Sequence, residues 1–194
     1  MKGALADKVL AMKKEVATRQ KKWDLRFLKL AKEVSTWSKD PSTKVGAVVT
    51  SENRVLSTGY NGFPRGFDDS KIENRDFKIQ HITHAEENAL YHLGNANLSD
   101  LTIYTWPFQP CGGCAKVIRG FSVVRVVSYE SDVERWQDSF KQASEIFEQA
   151  NIKMDLFPRV DKDINKMKNN KTDEEFINIC REVVIANEDQ TKES

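Results

Sequence analysis

Apolar residues recur along this chain with two different periods, and the switches between them mark out its elements. Leu5, Val9, Met12 and Val16 follow one another at three- and four-residue intervals, the spacing of one helix face, so residues 1–22 predict a helical extension. A second helix is predicted over about 24–38, with Leu25, Phe27, Leu28, Leu30, Ala31, Val34 and Trp37 turned inward. Asp40-Pro41 limits it, because the residue before a proline is driven out of the helical conformation. Val45–Val49 and Val55–Gly59 read as two strands joined by a turn at Ser51-Glu52-Asn53. Residues 61–83 read as a long loop. Ala89-Leu90-Tyr91-His92-Leu93 are good helix formers downstream of His84, with Gly94 as the stop.

The second half alternates regularly. A strand at 101–106 is followed by a helix opening at about Cys111 and closing at Gly120. Next come a strand at Val123–Val127, a helix over 133–150, and a last strand from Ile152 to Phe157 halted by Pro158. A hairpin followed by alternating helices and strands predicts an α/β fold with a mixed five-stranded sheet layered by helices. The asparagine- and lysine-rich stretch 161–172 reads as a linker, and about 172–187 as a final helix. The expected organisation is thus a basic extension (1–22), one domain (23–158), and a polar linker with a terminal helix (159–194).

Composition and charge narrow the function classes. A chain of 194 residues can bury the core of one ordinary domain. A net charge of +1 supplies no field of the kind a dedicated nucleic-acid binder needs. The basic residues concentrate instead in 1–22, where Lys2, Lys8, Lys13, Lys14, Arg19, Lys21 and Lys22 outnumber Asp7 and Glu15 and leave +5. No apolar run is long enough to span a membrane, and no secretory signal precedes the domain. Three cysteines form no disulfide framework, so a reducing, cytoplasmic compartment is expected.

The chemistry concentrates in His84-Ala85-Glu86 and Pro110-Cys111-Gly112-Gly113-Cys114. One imidazole and two thiolates make three zinc-type ligands, and Glu86 is a carboxylate that the metal does not need. Structural zinc sites close with four protein ligands, whereas catalytic ones hold three and leave a position to water. Cys111 and Cys114 are one helical turn apart and share a face. His84 and Glu86 are only two apart, so both reach one ion only from a first turn. The site is therefore expected where two helix N-termini converge, an environment that stabilises thiolates. Two plainer readings exist. Cys111 and Cys114 could be a redox pair, but no thioredoxin-like pattern surrounds them. A structural zinc would need His81, His92 or Cys180 as fourth ligand, and Cys180 lies in an apolar run typical of a core thiol.

The H-x-E…P-C-x-x-C order is the signature of zinc nucleobase deaminases. Together with Trp37-Ser38-Lys39-Asp40-Pro41-Ser42-Thr43-Lys44-Val45-Gly46-Ala47 and Gly59-Tyr60-Asn61-Gly62-Phe63-Pro64-Arg65-Gly66, it resembles the cytidine and deoxycytidylate deaminase superfamily, most closely its deoxycytidylate (dCMP) branch. The resemblance covers about residues 24–157. It implies a three-layer fold with helices on both faces of the sheet, and hydrolysis of dCMP to dUMP and ammonia, which supplies thymidylate synthesis. His84, Cys111 and Cys114 would hold zinc, and Glu86 would shuttle the proton from water to N3 and then to the leaving amine. The backbone at Ala85 and Cys111 would grip the base, Asn61 the sugar, and Thr43 and Lys44 the 5′-phosphate. Tyr129 would wall the base. The resemblance further implies a homohexamer activated by dCTP and inhibited by dTTP, with magnesium accompanying the triphosphate. Gly59, Tyr60, Asn61, Gly62 and His92 are the effector-site candidates.

The chain departs from the family pattern in three places. Glu87 stands where an apolar residue is usual and is expected to disturb packing or Glu86. The connection Tyr104–Pro110 is one residue long. With no cysteine between 40 and 83, the second, structural zinc of some relatives is expected to be missing. A tRNA adenosine deaminase uses the same zinc set and is the rival reading; its folded-RNA substrate calls for a basic surface that the neutral charge does not supply. A binding protein on a dead deaminase scaffold would have lost Glu86 or a ligand, and all four are present.

Overall fold

The structure, a computed structural model, describes residues 2–94 and 98–158. The expected linker, the terminal helix and Cys180 lie outside the described residues. Helix α1 runs without a break from Lys2 to Ser35. The separate extension and second helix expected on either side of residue 22 are one element, because no glycine or proline between Ala17 and Asp24 interrupts it. Leu25, Phe27, Leu28, Ala31 and Val34 are buried as predicted, but Trp37 lies beyond the helix end, exposed, with its ring edge-on to Tyr60.

Strands β1 (Gly46–Ser51) and β2 (Arg54–Tyr60) form an antiparallel hairpin. Its turn residues Glu52 and Asn53 both have positive φ (47° and 62°), the conformation that matches the twist of a two-residue hairpin. β3 (Leu101–Trp106) pairs antiparallel with β1, while β4 (Val123–Tyr129) and β5 (Lys153–Phe157) add in parallel. The sheet order is β2-β1-β3-β4-β5, the mixed five-stranded sheet expected.

Alternation along the strands assigns the two faces. Val48, Tyr104, Val127 and Tyr129 pack with Leu25, Leu28 and Val34 of α1. Ala47, Val49, Ile103 and Val126 pack beneath α3 (Ala85–Tyr91), α4 (Gly112–Arg119) and α5 (Gln137–Gln149). Helices therefore cover both faces. At Gly46 a side chain is impossible: an added Cβ would stand 2.1 Å from the Ala31 carbonyl oxygen, so α1 lies directly on β1.

Three local expectations are corrected. The stretch 61–83 is not all loop, since it contains a 3-10 turn at Asp69–Glu73 and helix α2, Arg75–His81. The Asn74 side chain caps α2 by accepting the Phe77 amide at 3.1 Å, a start signal legible in the sequence. Residues 133–150 divide into a 3-10 turn, Glu134–Trp136, and α5. The Cys111 helix opens one residue later than expected, with Cys111 as its N-cap and Pro110 outside it.

Candidate active site

His84 and Cys111 are the N-caps of α3 and α4, so the two helix starts do converge. His84 Nδ1 lies 3.2 Å from the Cys114 sulfur and 3.5 Å from the Cys111 sulfur. Tetrahedral zinc with Zn–S near 2.3 Å and Zn–N near 2.0 Å would separate nitrogen and sulfur by roughly 3.5 Å. The donor set and its spacing therefore fit zinc. Among the described residues these three are the one His/Cys/Asp/Glu group able to hold an ion, and no fourth such ligand joins them.

The first turns are fixed by short-range packing. Glu87 accepts the His84 amide at 3.1 Å and so caps α3. Its carboxylate is thus a structural part of the helix start, where an apolar residue could not serve. Gly59 of β2 lies against α3, and a Cβ there would meet both the Ala85 carbonyl oxygen and the Ala89 nitrogen at 2.3 Å. Ser57 donates to Ala89 and Asn88 donates to the Tyr60 carbonyl, which add further ties between β2 and α3. On α4, the Gly112 amide donates to Ser139 Oγ of α5 at 3.1 Å.

Charge in the triad is strongly coupled. The Cys111 thiol is pulled down to about 4, first by the Cys114 hydrogen bond and then, against burial, by His84. His84 is pushed up to about 9, chiefly by its hydrogen bond with Cys111. Cys114 moves up, because it donates to Cys111 and is buried. Without metal the triad thus holds its protons on His84 and Cys114, and a bound cation would replace them. Glu86 is only 4% exposed, and burial raises its carboxyl above the usual range. A carboxylate shifted toward neutrality is the group that can both take and return a proton.

These residues line one pocket of about 360 Å³, with His84, Ala85, Glu86 and Cys111 among its walls. It opens where β2, β3 and β4 end, the place where α/β sheets collect their ligands. Phe108, Trp136, Phe140, Ile79 and Ile82 supply apolar surface, wide enough for a flat ring.

Asp40 organises the near wall. Its buried carboxylate accepts the amides of Ser42 (2.8 Å) and Thr43 (3.1 Å) and the Lys78 ammonium (2.9 Å). Asn61 stitches the same loop to the end of β2: its carbonyl accepts the Val45 amide at 2.8 Å, and its NH2 donates to the Thr43 carbonyl at 2.9 Å. Asn61 lines the pocket, yet its amide is already engaged by the protein, so its first duty is to hold the loop.

The other sequence candidates separate clearly. Thr43 and Ala85 line the pocket. Lys44 does not; its ammonium turns outward toward the Thr36 carbonyl at the end of α1, 3.5 Å away. Tyr129 is not past the fourth strand but its last residue, buried against Trp106 and Phe157 on the α1 face, and it forms no part of the pocket wall. Of the effector candidates, Gly59 is a packing glycine, Gly62 bridges Thr83, and Tyr60 is half-exposed beside Trp37. His92 is exposed at the C-terminal end of α3, opposite His84. Sequence reasoning missed Arg75, Lys78, Arg135, Trp136 and Phe140, which line the pocket from α2, the 3-10 turn and α5. Only the start signal at Asn74 hinted at any of them.

The model of the cytidine and deoxycytidylate deaminase zinc-binding region matches residues 21–130. The chain belongs to this family. It is 39% identical over 141 residues to a deaminase of Aliivibrio fischeri, covering 71% of this chain and 95% of that one. It is 33% identical over 138 residues to the deoxycytidylate deaminase of Homo sapiens, covering 67% of this chain and 76% of that protein. Among solved structures, the dCMP deaminase of cyanophage S-TIM5 superposes with a TM-score of 0.54 at 22% identity, over 69% of this chain and 95% of that one. That likeness establishes the deaminase fold. As a family member, the chain carries the three zinc ligands and the glutamate on the two helix starts just described.

Proposed function

We propose that this chain hydrolyses dCMP to dUMP and ammonia. The observation that carries the reading is Glu86, buried in the pocket beside a three-ligand zinc triad with no fourth protein ligand among the described residues. Zinc, when bound, polarises water and lowers its pKa to about 7. Glu86 takes the proton from the attacking water and delivers it to N3 of the cytosine as C4 becomes tetrahedral. The same carboxyl then protonates the amine, which leaves as ammonia. The raised Glu86 carboxyl suits both transfers. The Ala85 wall lies next to the reacting edge and offers backbone to the base. The relatives named deoxycytidylate deaminases, at 36% and 33% identity, support cytosine and the monophosphate.

Regulation rests on the family resemblance alone. We extend the reading to a homohexamer activated by dCTP and inhibited by dTTP, with magnesium on the triphosphate, and to a cytoplasmic location. Among the described residues no helix is long and apolar enough to cross a membrane.

The test is the ultraviolet change of dCMP with zinc-loaded protein, beside Glu86→Ala, with and without each triphosphate. Conversion that vanishes in the variant upholds the reading. No ammonia from dCMP under any effector overturns it, and release of ammonia from a folded tRNA would then identify the rival activity.

A further inference from the structure

Besides the zinc triad and Glu86, three cations line the pocket: Arg75, Lys78 and Arg135. They are not equivalent. Lys78 is held by Asp40 at 2.9 Å and lies 3.3 Å from Ser42 Oγ, so its charge is matched and it ties α2 to the 40–43 loop. Arg75, at the start of α2, and Arg135, in the 3-10 turn after β4, are exposed, and neither is in an ion pair among the described residues. Beside Arg135, whose guanidinium stands 5.9 Å from the Trp136 ring centroid, is a second anomaly. Trp136 Nε1 is the one buried side-chain nitrogen or oxygen among the described residues that has no hydrogen-bond partner. A buried N–H without an acceptor is a defect that native proteins rarely tolerate, unless a ligand supplies the acceptor.

The geometry points to Arg75, Arg135 and Trp136 as a clamp for the 5′-phosphate, which makes this pocket select a nucleoside monophosphate over the nucleoside. The inference rests on reading the same pocket as a cytosine deaminase. A phosphate brings two negative charges and three acceptor oxygens. Guanidinium forks match those oxygens in pairs, and the indole N–H takes one more. The two arginines come from separate elements, α2 and the 3-10 turn, so the clamp exists only in the folded chain. Lys78, already matched by Asp40, is a positioning residue for α2. Lys44, turned toward Thr36, takes no part.

The experiment compares kcat/KM for dCMP and for deoxycytidine in zinc-loaded wild type, Arg75→Gln, Arg135→Gln, Arg135→Lys and Trp136→Phe. Because both arginines are exposed, the variants should fold, and unchanged thermal melts verify it. The dCMP-to-deoxycytidine ratio is expected to fall roughly tenfold or more in each glutamine variant, the scale of a lost charge-assisted contact. Trp136→Phe should lower it less, and Arg135→Lys should restore part of it. Equal losses on both substrates, or no loss on dCMP, overturn the clamp and leave the deaminase reading standing. If wild type deaminates neither compound, the deaminase reading falls, and calorimetric titration with dCMP and deoxycytidine judges the clamp by itself. Tighter binding of dCMP that the glutamine variants abolish upholds it, and equal binding of the two compounds overturns it.

Discussion

Gly59 and Ala85 touch backbone to backbone: a single added Cβ on Gly59 would stand 2.3 Å from the Ala85 carbonyl oxygen. The edge of β2 therefore sets the height of the α3 first turn, which carries His84 as its cap and Glu86 inside it.

Gly59→Ala is accordingly expected to push α3 off the sheet. Overpacking of this kind costs about 1–3 kcal/mol. A displacement near 1 Å at Glu86 can lower turnover by about 100-fold. A thermal melt together with dCMP turnover checks both effects. Unchanged values for the two would show that the contact is slack.

Asp40 holds more than its ion pair with Lys78. It also accepts the amides of Ser42 and Thr43 and lies 3.3 Å from Asn61 Nδ2. Asp40→Ala should therefore destabilise the fold more than Lys78→Met, because it strands several buried donors at about 1–3 kcal/mol each. Urea midpoints of the two variants decide the order. A larger loss in Lys78→Met would place the stabilisation in the ion pair.

Zinc joins two helix starts that are otherwise held by a few local contacts. Chelation should lower the melting temperature and stop turnover, with both restored by zinc. At thousandfold excess over its dissociation constant, such a ligand stabilises by about 4 kcal/mol. Glu86→Gln should keep one zinc per chain and the melting temperature while losing on the order of 10²–10⁴ in rate. Metal analysis by atomic absorption separates the two roles, since loss of zinc in Glu86→Gln would make the carboxylate a ligand.

Acid should weaken the far side of the molecule. Burial of Asp155 works against its charge, but hydrogen bonds from Lys153 and Arg125 outweigh it, and the carboxyl sits below its ordinary 3.8. A depressed carboxyl contributes stability that is complete above 3.8 and lost as pH falls through the lower, folded value. The gap in urea midpoint between wild type and Asp155→Asn should be constant near neutrality and close below pH 3.8. A gap that persists at low pH would mean that shape, and not charge, holds the site. Arg125 also forks onto Asp24 at 2.7 and 2.8 Å, so the same pair anchors α1 to β4 and β5.

Much of this molecule was determined locally, and that part was legible. The period-two runs of Val45–Val49 and Val123–Val127, the hairpin turn at Glu52-Asn53, and the ligand spacing of His84, Cys111 and Cys114 depend on neighbours within a turn or two. Periodicity alone indicated a mixed five-stranded sheet, and the family resemblance its two helical layers. Tyr129, Lys44 and Gly59 were different. Whether a tyrosine at a strand end faces a pocket or the α1 core depends on strand register and the twist of the sheet, which no local pattern encodes. Lys44 was adjacent to the pocket in sequence, but its long side chain found the carbonyl end of α1. Arg75, Arg135 and Trp136 lie sixty residues apart and share no motif, and only the packing of α2 and the 3-10 turn around one cavity brings them together. The zinc chemistry was written in short-range spacing, whereas the shape of the pocket depends on long-range packing, because each wall comes from a separate element.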